Sequence, residues 1–136
     1  MDLKEWTVHH IKQKDLVQRD LISYKEEEDN ILCDYKEGIK AVYYCNENLE
    51  LKNIKAVKDD KLIYFVCLCN EHNFKTLVDN WDLFKTKRNL TFIFLNPNIA
   101  EKWIIKPFVH AKIADPSTLK QGLRTMYDTC MGVAKG

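Results

Sequence analysis

Leu62-Ile63-Tyr64-Phe65-Val66-Cys67-Leu68-Cys69 and Leu90-Thr91-Phe92-Ile93-Phe94-Leu95 are two almost unbroken apolar runs. That pattern marks strands buried on both faces, not the one-sided alternation of a solvated hairpin. Between them, Phe74, Leu77, Val78, Trp81 and Phe84 recur at the spacing of a helix with one buried stripe. Asn73 stands where a capping acceptor would sit, and Lys85, Lys87 and Arg88 follow at the end of the stripe, where positive charge suits the helix dipole. Strand, one-stripe helix and strand predict a β-α-β unit with parallel strands.

Working outward, Trp103-Ile104-Ile105-Lys106-Pro107-Phe108-Val109 reads as a further strand, antiparallel to Leu90–Leu95 across the Asn96-Pro97-Asn98 turn. Pro107 places it at an edge or marks its end. Asp115-Pro116 is a helix-start signal, and Leu119, Leu123, Met126, Tyr127 and Cys130 give the last helix its inner side, with a short frayed tail from Gly132 to Gly136. Toward the N-terminus, Ile31–Tyr35 and Ile39–Cys45 flank Lys36-Glu37-Gly38 as a hairpin in which Gly38 takes positive φ. Glu26 to Asn30 reads as a solvated connection. Trp6 and Ile11, then Leu16, Val17, Leu21 and Tyr24, predict a helix in two pieces. The polar stretch from Asn46 to Lys61 has no clean period and reads as a short edge strand, a distorted helix or a mobile flap. The expected fold is α/β, a mixed sheet flanked by helices around a central β-α-β unit, with residues 1–136 as a single compact domain.

The 21 Lys and Arg against 20 Asp and Glu leave a net charge of +1, so any attraction to polyanions has to come from a local patch. No apolar run approaches the roughly 20 residues of a membrane helix, and the N-terminus has no signal-like core. A soluble, cytoplasmic protein without a membrane contact is expected. The 5 cysteines read as reduced core thiols, and Cys67 and Cys69, two apart on a strand, are not a zinc knuckle. With only 4 glycines, and none in the connection that follows Cys69, the chain offers no phosphate-cradling loop between strand and helix. Neither a cofactor nor a metal site is predicted.

In open α/β sheets, ligands gather beyond the carboxyl ends of parallel strands. That rule singles out Asn70 and His72 after the first apolar strand and Asn96 and Asn98 after the second, with His110 facing the same cleft. His72 beside Glu71 is the candidate acid-base group. His9 and His10, adjacent on a helix, diverge and do not form a metal pair.

The order helix, hairpin, strand, helix, strand resembles the restriction-endonuclease-like core, whose active members hold a divalent cation with an aspartate on the hairpin and a Glu-x-Lys on the next strand. Asp34 matches that aspartate in position. The strands after it read Val42-Tyr43-Tyr44-Cys45 and Phe65-Val66-Cys67, without Glu-x-Lys. The resemblance thus implies a topology, and the missing carboxylate and lysine argue against cleavage.

Lys85, Lys87, Arg88, Lys102, Lys106 and Lys112 gather in the C-terminal half beside Trp103 and Phe108, a mixture suited to phosphate contact and stacking. Lys87, Arg88, Lys102, Trp103 and Lys106 are therefore the candidates for an anionic partner. Trp6, Trp103 and the tyrosines offer aromatic area for self-association. The leading expectation is a noncatalytic binding domain for a protein or nucleic-acid partner. The alternative is a small ligand-binding protein or enzyme with a strand-end pocket near His72 and Asn96, with a metal-dependent nuclease relative as its weaker branch.

Overall fold

A computed structural model describes residues 2–58 and 60–132. Helix α1 (Leu3–Gln18) leads into an antiparallel meander, β1 (Leu21–Glu26), β2 (Asn30–Tyr35) and β3 (Lys40–Cys45). The one-turn helix α2 (Leu51–Lys55) connects to β4 (Leu62–Leu68), and α3 (Glu71–Asp79) with α4 (Trp81–Phe84) connect to β5 (Leu90–Asn96). Strand β6 (Glu101–Ile105) turns back, and α5 (Pro107–Ile113) and α6 (Leu119–Met131) close the described chain. The expected tail falls on 133–136, outside the described residues.

The six strands form one mixed sheet in sequence order, with β3, β4 and β5 parallel and the other neighbours antiparallel. The two apolar runs that predicted the β-α-β unit lie side by side, Ile63 opposite Leu90 and Leu68 opposite Leu95. Alternate residues of these strands serve opposite faces. Ile63, Phe65, Cys67, Phe92 and Phe94 pack against Phe74, Leu77, Phe84, Leu123 and Tyr127 of the crossover and C-terminal helices. Tyr64, Val66, Ile93 and Leu95 pack on the other face with Ile11 of α1. Burial on both faces is why these runs are continuously apolar, each large side chain contributing about 1.5–3 kcal/mol.

Several expected boundaries move. The N-terminal segment is one helix, and Leu21 and Tyr24 belong to edge strand β1. Arg19 ends α1 in the left-handed conformation (φ 53°), and the Asp15 carboxylate accepts the N–H groups of Asp20 and Leu21. Leu16 and Val17, apolar residues read at helix spacing from sequence, are exposed, Val17 at 87 %. In the Lys36-Glu37-Gly38 turn, Glu37 as well as Gly38 has positive φ (66° and 75°). The undecided polar stretch contains the short α2.

The cap of α3 is Asn70, not Asn73; its side chain accepts the Asn73 N–H at 2.8 Å. The predicted single helix breaks at Asn80 into α3 and α4. Strand β6 stops at Ile105, and Pro107 opens α5, which carries Phe108, Val109 and His110. Proline is suited there because its missing N–H has no helical partner to lose. Asp115 does not start a helix; it accepts from the Ser117 N–H and hydroxyl in a turn, and α6 begins at Leu119. No described helix is long and apolar enough to cross a membrane.

Candidate functional site

Parallel pairing carries the ends of β3, β4 and β5 to one rim, where the Asn46 N–H reaches Val66 O and the Cys69 N–H reaches Leu95 O. The predicted polar groups are there, but most are committed to holding the chain. The Asn70 amide spans from its cap bond to Asn48 Oδ1, 3.3 Å away. His72 Nε2 meets Leu49 O at 3.3 Å. Asn96 donates to Cys130 O at 3.0 Å and accepts the Asn98 N–H at 3.2 Å, tying the last helix to the β5–β6 turn. Asn73, fully buried, donates to Glu47 O and Leu68 O and accepts the Leu49 N–H, each at 2.7 Å. It holds the polar segment after β3 against the start of α3.

His110 does not join this rim. Ile105 at the end of β6 lies opposite Phe92 near the start of β5, so α5 starts from the other end of the sheet. There His110 meets Trp81 edge-on at 5.7 Å, and burial lowers its pKa. Sequential strand order also removes the reversal at which an open α/β sheet splits a crevice between its helices.

The concavity at the rim lies one strand further out. A cleft of about 260 Å³ opens beside α2, its walls including Asp29, Asn46, Glu50 and Asn53 around the rings of Tyr44 and Phe65. The two rings stack at 5.1 Å and 18°. None of Asn70, His72, Asn96, Asn98 or His110 lines it. Sequence reading placed these cleft residues in the first apolar strand, a hairpin, a connection and an undecided segment; the signal available was the density of amides from Asn46 to Asn53.

At the opposite end of the parallel strands the basic candidates divide. The Arg88 guanidinium lies 5.4 Å and Lys112 Nζ 4.2 Å from the centre of the Phe108 ring. Lys106 precedes that ring on the same short segment, and Lys87 adjoins Arg88. None of these four cations forms an ion pair among the described residues. Lys102 stands apart. It lies opposite Leu95, at the far end of β6, with Nζ 5.7 Å from the Trp6 ring of α1. Trp103 is 7 % exposed and packs on Phe94 at 4.9 Å, so it is a core residue and not a stacking surface.

No family model, no curated protein and no solved structure matches the chain. Its chemistry has to be read from its own side chains. Glu71 is held below the usual carboxylate range by the Arg124 guanidinium at 2.7 Å, an ion-paired surface group and not a poised acid. Burial raises the thiol of Cys67, and a hydrogen bond with Cys130, then burial, raises that of Cys69, which opposes thiolate chemistry at both. Among the described residues no three His, Cys, Asp or Glu side chains come together as a metal ligand set.

Proposed function

We propose that the chain is a noncatalytic binding domain whose basic end, at the amino ends of β4 and β5, contacts the phosphate backbone of a nucleic acid. The observation that carries this reading is the grouping of Arg88 and Lys112 around Phe108 with Lys106 and Lys87 alongside, unpaired by acidic side chains among the described residues. Ammonium and guanidinium groups beside a half-buried ring suit sugar-phosphate contact with little base readout. An acidic protein partner would use the same charges.

Fluorescence anisotropy with a labelled single-stranded oligonucleotide tests the proposal. Binding is expected to weaken steeply with salt, and each phosphate contact removed lowers the slope of log K against log salt by about 1. Arg88→Glu with Lys106→Glu is expected to abolish binding, while Lys102→Glu leaves it unchanged. Absence of binding at low salt, or binding indifferent to the double reversal, overturns the nucleic-acid reading and returns the basic end to an acidic protein partner.

The alternative pocket near His72 and Asn96 has less support, because both side chains are already bonded to backbone carbonyls. The nuclease branch keeps its topological support in the helix, three-stranded meander, helix and parallel strand of residues 3–68. Its chemistry lacks support: Asp34 faces Lys40 at 3.7 Å on an exposed surface, and among the described residues it belongs to no group of three potential metal ligands. Magnesium-dependent cleavage lost on Asp34→Ala would restore it.

A further inference from the structure

The cleft beside α2 differs in chemistry from the basic end. Its walls contain two carboxylates, Asp29 and Glu50, amides from Asn46 and Asn53, and, among the described residues, no lysine or arginine. Its aromatic members are stacked rings: Phe65 on β4, a buried member of the core cluster of the crossover face, and Tyr44 on β3, half-buried against that cluster. Asn46 and Asn53 form no side-chain hydrogen bond with another described residue, and their acceptor and donor groups remain available. Glu50 meets Lys52 at 3.6 Å, but both side chains are well exposed and such a pair holds weakly.

An anion entering this space would meet two like charges with no counter-cation on the walls. A purely apolar guest would strand the amides. The group that satisfies all the walls at once is flat, positive and rich in N–H donors: it stacks on an aromatic ring and donates in its own plane to carboxylate and amide oxygens. The volume is below the roughly 300–1,000 Å³ of pockets for drug-sized ligands, which suits a single headgroup with a short stem. We propose that this cleft is a binding site for a guanidinium group, carried by a small metabolite or by an arginine side chain of a peptide.

Titration of the ¹⁵N-labelled full chain distinguishes these sources. Agmatine, a capped tripeptide with arginine at its centre, and the neutral, similarly shaped n-butylurea are added separately. The signals followed are the side-chain amides of Asn46 and Asn53 and the backbone amides of Ala56 and Val57. Saturable shifts with agmatine, with the peptide or with both, and none with n-butylurea, are expected; which cation saturates names the source. Asp29→Asn combined with Glu50→Gln, a conservative change of two exposed residues, is expected to weaken binding about tenfold or more. Tyr44→Leu should weaken it too, through loss of the ring. Saturation by neither cation, equal shifts with n-butylurea, or affinity unchanged in the double variant overturns the site. Oligonucleotide binding at the opposite end of the sheet is unaffected by these substitutions in either case, so the two sites fail independently.

Discussion

His10 shows how one side chain couples packing to pH. It stacks on Trp6 one helical turn earlier, at 4.9 Å and 12°. Desolvation first, then the positive charges of Lys102 and Lys14, lower its pKa from 6.5 to about 4. The unfolded chain therefore binds a proton near pH 6.5 that the folded chain refuses until about pH 4. Between those values the unfolded state holds more protons, so stability is full above pH 6.5 and falls as the pH drops through that window. Denaturant melts at pH 7 and pH 4.5 are expected to show a loss on the order of 1–2 kcal/mol in excess of that in His10→Phe, which keeps the stacking and cannot titrate. The figure allows for the partial exposure of the ring. Identical pH dependence in the two proteins would remove His10 as the cause. Nothing in the sequence around His10 foretells this, because Lys102 reaches the α1 face only through the fold.

Among the elements, β4 and β5 were legible from sequence because both of their faces are buried, so composition alone marks them. Strand β1 was not legible, and the reason is geometric. A bulge between Leu21 and Ser23 shifts its register, and its half-buried residues, Leu21 and Tyr24, fall three apart. That spacing imitates a helix turn. The α3–α4 break escaped notice because Trp81 and Phe84 continue the apolar spacing of α3 across Asn80, whose side chain donates to Thr76 O. Among candidate site residues, sequence could not show how the amides after β4 and β5 are engaged within the chain: Asn70 accepts the Asn73 N–H and donates to Asn48 Oδ1, and Asn96 donates to Cys130 O. Trp103 was misjudged for a related reason: beside lysines it reads as a stacking ring, while its pairing with Phe94 across β5 and β6 turns it inward. Its indole N–H has no hydrogen-bond partner among the described residues, so apolar contact is what holds it. Trp103→Ala is expected to cost about 3–5 kcal/mol in urea denaturation. Trp103→Phe should cost under about 1.5 kcal/mol and leave oligonucleotide binding unchanged. A silent Trp103→Ala would show that β6 is not docked through this side chain.

Across the whole molecule, a net charge of +1 conceals an uneven, though incomplete, separation of charge, since Lys4, Lys102 and Arg124 also stand at the acidic end. The β1–β2 loop brings Glu27, Glu28 and Asp29 to the end of the sheet where β3, β4 and β5 finish, and Glu47, Glu50, Glu71 and Glu101 lie at the same end. Lys87, Arg88, Lys106 and Lys112 lie at the other. The α1 and α3 helices start at the acidic end, so their positive dipole ends face the carboxylates. Net charge sets solubility, but the arrangement of charge governs which surface a column or a polyanion meets. At pH 7.6, the sequence pI, a chain with evenly mixed charge would pass a cation exchanger at low salt; this one is expected to be retained. Arg88→Glu with Lys106→Glu should abolish retention, whereas Lys25→Glu with Lys52→Glu, the same change in net charge placed toward the acidic end, should preserve most of it. Equal loss in the two double variants would mean that the column senses only total charge. The basic end would then have no field of its own to draw in a nucleic acid.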